Sequence, residues 1–144
     1  MRKYKFYIVG VMLSTQVLIG CSDEGSRDAM LTVEVFHEQF NLKDFEKIYV
    51  DIVSKEFKDS MTKSDYFSLM NKNASVLGSY QYGRLLKSDQ VKVLIGDGNI
   101  RLTYHSIYSN YELNEMFIIK KEDGRDKIKQ IVYDDIHVVT LKEK

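Results

Sequence analysis

The stretch that decides the fold is Ile100 to Gly124, IRLTYHSIYSNYELNEMFIIKKEDG. Apolar and polar residues alternate from Ile100 to Tyr108 and again from Leu113 to Ile119. A period of two predicts β-strands that bury one face. Each run is followed by a pair typical of tight turns, Ser109-Asn110 and Asp123-Gly124. The stretch therefore predicts two antiparallel strands with a further turn at its end.

The residues on either side extend this pattern into a sheet. Before the stretch, Val91 to Ile95 alternate in the same way and lead into a turn at Gly96 to Asn99. That turn lacks the spacing of a calcium-binding loop, so it is interpreted as a hairpin. After the stretch, a final strand runs from Ile128 toward Val138. Consecutive strands joined by short turns predict a four-stranded antiparallel meander.

The residues upstream of the sheet have a helical pattern. From about Asp28 to Phe40, apolar residues recur every three or four positions, which predicts an amphipathic helix. A second helix is predicted from Asn41, as N-cap with Asp44 at the capping-box position, through about Lys58. A third is predicted from Thr62 to Gly78. About three helices followed by four strands predict an α+β domain with helices packed on one face of the sheet.

The N-terminus has the form of an export signal. Residues 1–5 carry three positive charges, and residues 6–13 form an apolar run that is too short to span a bilayer. Leu18-Ile19-Gly20-Cys21 then resembles the lipobox of bacterial lipoproteins. The resemblance implies a diacylglyceryl group on Cys21, cleavage before it, and acylation, as by palmitate, of the new amino terminus. The expected organisation is a signal peptide (1–20), a lipidated cysteine with its tether (21–27) and one α+β domain (28–144).

Composition limits the remaining possibilities. Removal of 20 of the 144 residues leaves 124, enough for one domain, and takes away three of 21 basic residues and none of 21 acidic ones. The mature net charge is therefore −3, without the basic block that nucleic-acid binding would need. Cys21 is the only cysteine, which excludes an intramolecular disulfide. Ser22 after the cysteine favours the outer membrane of a bacterial envelope over the inner one.

A wider resemblance covers about Ala29 to Asp134. The segments that carry it are FHEQFNLKDFEKIY, FKDSMTKSDYFSLM, LGSY and RLTYHSIYSNYELNEMFIIKKEDGRDKIKQIVYD. They are similar to small bacterial lipoproteins with a nuclear-transport-factor-2-like, cystatin-like domain, many of unknown function. The resemblance implies helices in the concavity of a curved sheet. It also implies a concave-face pocket, where enzymatic members carry an acidic general base.

Glu115 is the residue that breaks the strand pattern. It shares a predicted face with Leu113, Phe117 and Ile119, which turns a carboxylate toward the helices. A buried carboxylate is costly unless it is paired or hydrogen-bonded. The candidates for a pocket with Glu115 are three tyrosines that could donate to it: Tyr104, Tyr108 and Tyr82. The alternative is a structural carboxylate at the rim of the core, bonded to a tyrosine or a helix end.

No other group of residues points to catalysis or to a cofactor. His37, His105 and His137 are widely separated and lack companions at metal-ligand spacing, so no metal and no cofactor are predicted. His37 is interpreted as a packing residue of the first helix, and His105 as a residue on the outer sheet face. An acylated Cys21 excludes a thiol nucleophile, and no serine has a recognisable base. No catalytic residue is assigned.

These observations predict a lipid-anchored envelope protein that is a non-enzymatic binding module for a protein partner or a small ligand. The membrane is the first partner, through Cys21. Tyr-rich strands also allow self-association into a homodimer through the sheet. Two alternatives stay open: an enzyme that uses Glu115 as general base, and an immunity or inhibitor protein. A core filled by Phe40, Ile48, Phe117 and Ile119 would favour binding, whereas a cavity lined by Glu115 and Tyr104 would favour catalysis.

Overall fold

A computed structural model describes residues 24–92, 94–96 and 98–140. The side chains of residue 24 and of residues 135–140, His137 among them, are outside this description. The predicted signal peptide and Cys21 likewise lie outside the described residues. All statements below concern the described part of the chain.

The strands form one antiparallel sheet in the order β1-β2-β3-β4, so neighbours in sequence are neighbours in space. Their bounds are Tyr80–Val91 for β1, Asn99–Tyr108 for β2, Tyr111–Glu122 for β3 and Arg125–Thr140 for β4. The helices all precede the sheet. The predicted α+β class and the four-stranded antiparallel meander are confirmed.

The helical region has more pieces than the three predicted helices. α1 spans Glu24–Asn41, so residues 24–27 of the predicted tether are helical. The other pieces are α2 (Phe45–Lys47), a π-helical turn (Ile48–Ile52), α3 (Lys55–Asp59) and α4 (Lys63–Leu77). α4 matches the third predicted helix: Thr62 is its N-cap, with a hydroxyl that accepts from the Asp65 amide at 3.1 Å, and Gly78 is its C-cap.

The prediction of one continuous second helix is wrong because β4 competes for its backbone. Val53 is extended and forms a parallel bridge with Ile128 of β4. The next amide, that of Ser54, donates to the Ile128 carbonyl at 2.9 Å. The Ser54 hydroxyl then accepts from the Phe57 amide at 3.2 Å and caps α3. The pairing of this segment with β4 therefore outweighs the helical periodicity of its sequence.

The assignment of Asn41 as an N-cap is also wrong. Asp44 takes that position, since its side chain accepts from the Lys47 amide at 3.0 Å. The Asn41 side chain instead bonds the backbone of Tyr80 in both directions, each at 2.8 Å. The amide that was expected to start a helix therefore fixes the end of α1 to the start of β1.

The predicted strand over Val91 to Ile95 is also wrong. β1 ends at Val91, and Leu94 and Ile95 stand at the hairpin tip with relative exposures of 104% and 93%. β1 is an edge strand with two register shifts, and most of its side chains are at least partly exposed. An edge strand of this kind carries little of the alternation by which strands are found in a sequence.

The core lies between α1, the shorter helices and one face of the sheet. Alternate residues of β2 and β3 are buried, which gives the sheet one covered and one half-exposed face. From the helices come Val33, Phe36, Phe40, Phe45, Ile48, Ile52, Phe57, Tyr66 and Met70; from the strands come Leu102, Tyr108, Leu113, Phe117, Ile119 and Ile128. Each such side chain contributes about 1.5–3 kcal/mol by burial. This covered face also contains Glu115.

Gly78 provides a test of how tightly α4 joins the sheet. Its φ of 77° and ψ of −157° suit glycine alone, and an added Cβ would meet the Ser109 hydroxyl at 1.9 Å. That hydroxyl accepts from the Ser79 amide at 3.0 Å. At Gly124, φ is 74° and no atom lies within 4 Å of an added Cβ.

We expect Gly124→Ala to lower the free energy of unfolding by about 1 kcal/mol, through backbone strain alone. Gly78→Ala should lower the free energy of unfolding by at least about 1 kcal/mol more than Gly124→Ala does, because it also displaces the Ser109 hydroxyl. Urea denaturation measures both. Equal costs for the two variants would show that the joint at Gly78 is loose.

Candidate functional site: a buried carboxylate network

The candidate site is built around Glu115, near the middle of β3. Its register partners are Tyr104 on β2 and Tyr133 on β4, so the three side chains share the covered face. Glu115 has no exposed surface at all. The residue that breaks the apolar pattern therefore lies inside the core and not at its rim.

Both carboxylate oxygens of Glu115 accept hydrogen bonds from side chains. The Tyr108 hydroxyl donates to Oε1 at 2.5 Å. The Ser106 hydroxyl donates to Oε2 at 2.6 Å, and His37 Nε2 lies 2.9 Å from the same oxygen. With Glu115 ionised, His37 carries its proton on Nε2 and donates it. Three donors surround the carboxylate, which is the condition for burying such a group at acceptable cost.

His37 brings α1 into this network. Its ring stacks on Tyr80 at a centroid distance of 3.6 Å and an interplanar angle of 3°, and meets Phe117 edge-on at 5.6 Å. The predicted burial of His37 is confirmed, but packing alone does not describe it. Its bond to Glu115 connects residues 78 positions apart in the chain. The sequence contains one indication of this pair: His37 and Glu115 are each a polar residue on an otherwise apolar face.

The tyrosines around Glu115 are protonated donors. Burial, reinforced by the Glu115 charge, raises the pKa of Tyr108 well above its usual range. Burial likewise raises the pKa values of Tyr80 and Tyr104 to about 12 each. At neutral pH these phenols stay neutral, so they can donate hydrogen bonds but do not serve as bases.

The structure brings together only part of the predicted pocket. Tyr108 bonds Glu115, and Tyr104 lies beside it on the covered face with its ring edge-on to Phe117 at 6.1 Å. Tyr82 is 60% exposed and does not join them. A register shift between Tyr80 and Tyr82 separates these neighbours, so that Tyr80 is the tyrosine that reaches the network.

The strand tyrosines are not concentrated on the outer face of the sheet. Tyr104 and Tyr108 are buried beneath the helices, and Tyr82 alone of the six in or beside strands is exposed. The other three, Tyr80, Tyr111 and Tyr133, are partly buried. Homodimer formation through the sheet stays a prediction.

The space around Glu115 on the covered face is occupied by the core. Phe40, Ile48, Phe117 and Ile119 are all buried there. A hollow of about 250 Å³ adjoins Glu115, but its other lining residues, Thr103, Asn114, Met116, Val132 and Asp134, alternate with the buried positions and so lie on the outer face. Because the Glu115 side chain is fully buried, this hollow gives no access to its carboxylate.

A larger cleft lies beside the network, between α4 and strands β3 and β4. It has a volume of about 370 Å³ and is lined by Lys72, Asn73, Val76, Leu77, Tyr111, Leu113 and Tyr133. The hydroxyl of Tyr133 is buried and has no hydrogen-bond partner among the described residues. Sequence analysis did not single out this cleft, because its residues are ordinary amphipathic positions on elements far apart in the chain.

A second histidine–carboxylate pair lies on the outer face. His105 Nδ1 is 3.0 Å from the side-chain oxygen of Asn114, and its Nε2 is 2.5 Å from Glu112 Oε1. Two acceptors favour the doubly protonated ring. The hydrogen bond to Asn114 makes the largest contribution to the raised pKa of His105, and the bond to Glu112 makes the next largest. The pair is about 30% exposed, in contrast to the buried His37–Glu115 pair. The predicted outward placement of His105 is confirmed.

The fold and this network define an α+β domain with a hydrogen-bonded carboxylate in its core. No protein-family model, curated protein or solved structure matches the chain. Within the described ranges, no group of three or more His, Cys, Asp and Glu side chains is placed to hold a metal ion. Among the helices of those residues, none is both long and apolar enough to cross a membrane.

The two carboxylates provide a matched test. Glu115→Leu should lower the free energy of unfolding by about 3–5 kcal/mol, because it leaves three donors buried without an acceptor. Glu112→Leu, which breaks the half-exposed pair, should cost less than about 1 kcal/mol. Denaturant unfolding measures both, and a Glu115→Leu protein as stable as the parent would refute the assignment.

Proposed function

We propose that this chain is a lipid-anchored bacterial envelope protein whose domain binds a small ligand and does not catalyse a reaction. The lipobox at residues 18–21 supports the anchor at Cys21. Helices on one face of a four-stranded antiparallel meander are compatible with the resemblance to nuclear-transport-factor-2-like, cystatin-like lipoproteins. The anchor would hold the domain at an envelope membrane, with the outer membrane favoured.

The observation that carries the non-catalytic proposal is the state of Glu115. A general base needs a free lone pair within about 3 Å of the proton that it removes. Glu115 is fully buried, and Tyr108, Ser106 and His37 all hydrogen-bond its carboxylate. The core aromatic and aliphatic side chains fill the face on which a substrate would have to reach it. Glu115 is accordingly proposed as a structural residue that stabilises the wall of a binding site.

The cleft beside α4 is the proposed binding site. Val76, Leu77 and Leu113 provide apolar walls, and the Tyr133 hydroxyl provides a buried donor. Lys72 adds a positive charge to the lining. A few polar groups placed in a mainly apolar cleft are typical of small-molecule sites. The ligand class that fits is a small amphipathic anion, with its apolar body against the leucines and an acceptor toward Tyr133.

The probe for this test is anilinonaphthalene sulfonate, which combines an apolar body with an anionic group. Its fluorescence should rise on titration with the folded protein. Val76→Asp should weaken this binding at least about tenfold, since it replaces an apolar wall of the cleft by a carboxylate that repels the anionic dye. The control is Val50→Asp, at a similarly exposed valine (53%, against 44% for Val76) in the π-helical turn.

Val50→Asp should bind the dye as the parent does, and circular dichroism should show both variants folded. If the two variants bound the dye equally well, the cleft would not be the binding site.

A further inference from the structure

One end of the domain gathers the start of α1, the β1–β2 hairpin tip and the β3–β4 turn. The Ser26 hydroxyl in the first turns of α1 lies 3.2 Å from that of Ser88, near the end of β1. Asp28 Oδ2 lies 3.9 Å from Lys121 Nζ, next to the β3–β4 turn. The end of α1 lies at the opposite end of the sheet, where Asn41 bonds Tyr80.

Cys21 precedes this end of the domain by a short stretch of chain. Three residue steps separate it from Glu24, the first residue of α1. A chain of that length reaches at most about 11 Å. A lipid on Cys21 would therefore hold this end of the domain close to the bilayer surface.

The hairpin tip at this end exposes two neighbouring aliphatic side chains. Leu94 and Ile95 have relative exposures of 104% and 93%, and the other exposed large hydrophobic side chains that the structure describes are at 68% or below. The two residues share a hollow with Lys120, Lys121 and Lys129. Exposed aliphatic residues beside lysines are typical of protein segments that enter the membrane interface, with the lysine amines at the level of the head groups.

Two of the three lysines near the tip have acidic partners. Lys120 Nζ lies 2.5 Å from Glu56, and Lys121 Nζ lies 3.1 Å from Asp126. Their charge is largely neutralised, so attraction to anionic lipid is not the main contribution. The apolar contact should form on zwitterionic lipid as well.

We infer that the tip formed by Leu94 and Ile95 inserts into the interface of the same bilayer that holds the Cys21 lipid. This inference rests on the proposed anchor. The anchor makes the contact intramolecular, so a small apolar tip suffices, because tethering raises its effective concentration at the surface. With two attachment points, the domain would have a fixed orientation and would direct its opposite end, where α1 ends, away from the membrane.

The chain contains no tryptophan, so a single introduced indole reports its own position. The experiment uses Leu94→Trp in the mature lipidated protein, reconstituted in phosphatidylcholine vesicles with plain or brominated acyl chains. Bromine quenches only an indole that enters the bilayer. We expect emission in brominated vesicles to be lower by at least about twofold, given the depth of interfacial insertion. The matched control is Leu42→Trp, at a 68% exposed leucine just beyond the end of α1, whose emission should not change.

Vesicle flotation and the mass of the protein separate the two claims. If the protein floats and carries lipid on Cys21 while the Leu94→Trp emission is equal in both vesicles, the tip inference is wrong and the anchor stands. Equal quenching of both tryptophans also overturns the inference, because the domain would then lack the proposed orientation. A protein that neither carries lipid nor floats overturns the anchor, and the tip inference with it.

Discussion

The hydrogen bond between His37 of α1 and Glu115 of β3 is the contact on which the arrangement of helix and sheet depends. A carboxylate in a core costs several kcal/mol unless donors replace its water. Here the donors come from α1 and from β2, because Ser106 and Tyr108 complete the set. The charge can therefore stay buried only when α1 lies at one position and one rotation on the sheet. Apolar packing would hold the helix there less specifically, since similar side chains tolerate sliding.

The buried Glu115 network distinguishes the centre of the sheet from the borders of the domain. The covered face around Glu115 is filled by the core, and both oxygens of its carboxylate accept hydrogen bonds, which suits this residue for support of the fold. The two proposed contact regions are the α4 cleft, where the Tyr133 hydroxyl has no hydrogen-bond partner among the described residues, and the exposed hairpin tip of Leu94 and Ile95. Under these proposals, a rigid centre supports recognition at the borders of the domain, where loops and element ends are placed on a stable scaffold.

Much of the fold was predictable because local and tertiary preferences agree over β2, β3, α1 and α4. The errors fall where they conflict. β1 lacks alternation because it lies at an edge, and the second helix is interrupted where Val53 bridges to Ile128. At the site, Glu115 was recognisable as a misfit in an apolar strand. His37 was not recognisable as its partner, since no local rule joins residues 78 positions apart. Tyr82 was misplaced because a register shift of β1 cannot be read from composition.

The central claim is that His37 and Glu115 stabilise the fold as a pair, and a double-mutant cycle tests it most directly. His37→Leu, Glu115→Leu and the double variant are compared by denaturant unfolding. The account predicts that the double variant is less destabilised than the sum of the singles by at least about 1 kcal/mol, because each single change leaves the other polar group buried and unpaired. Costs that add to within about 0.5 kcal/mol would contradict it, since they would show that the two residues act independently.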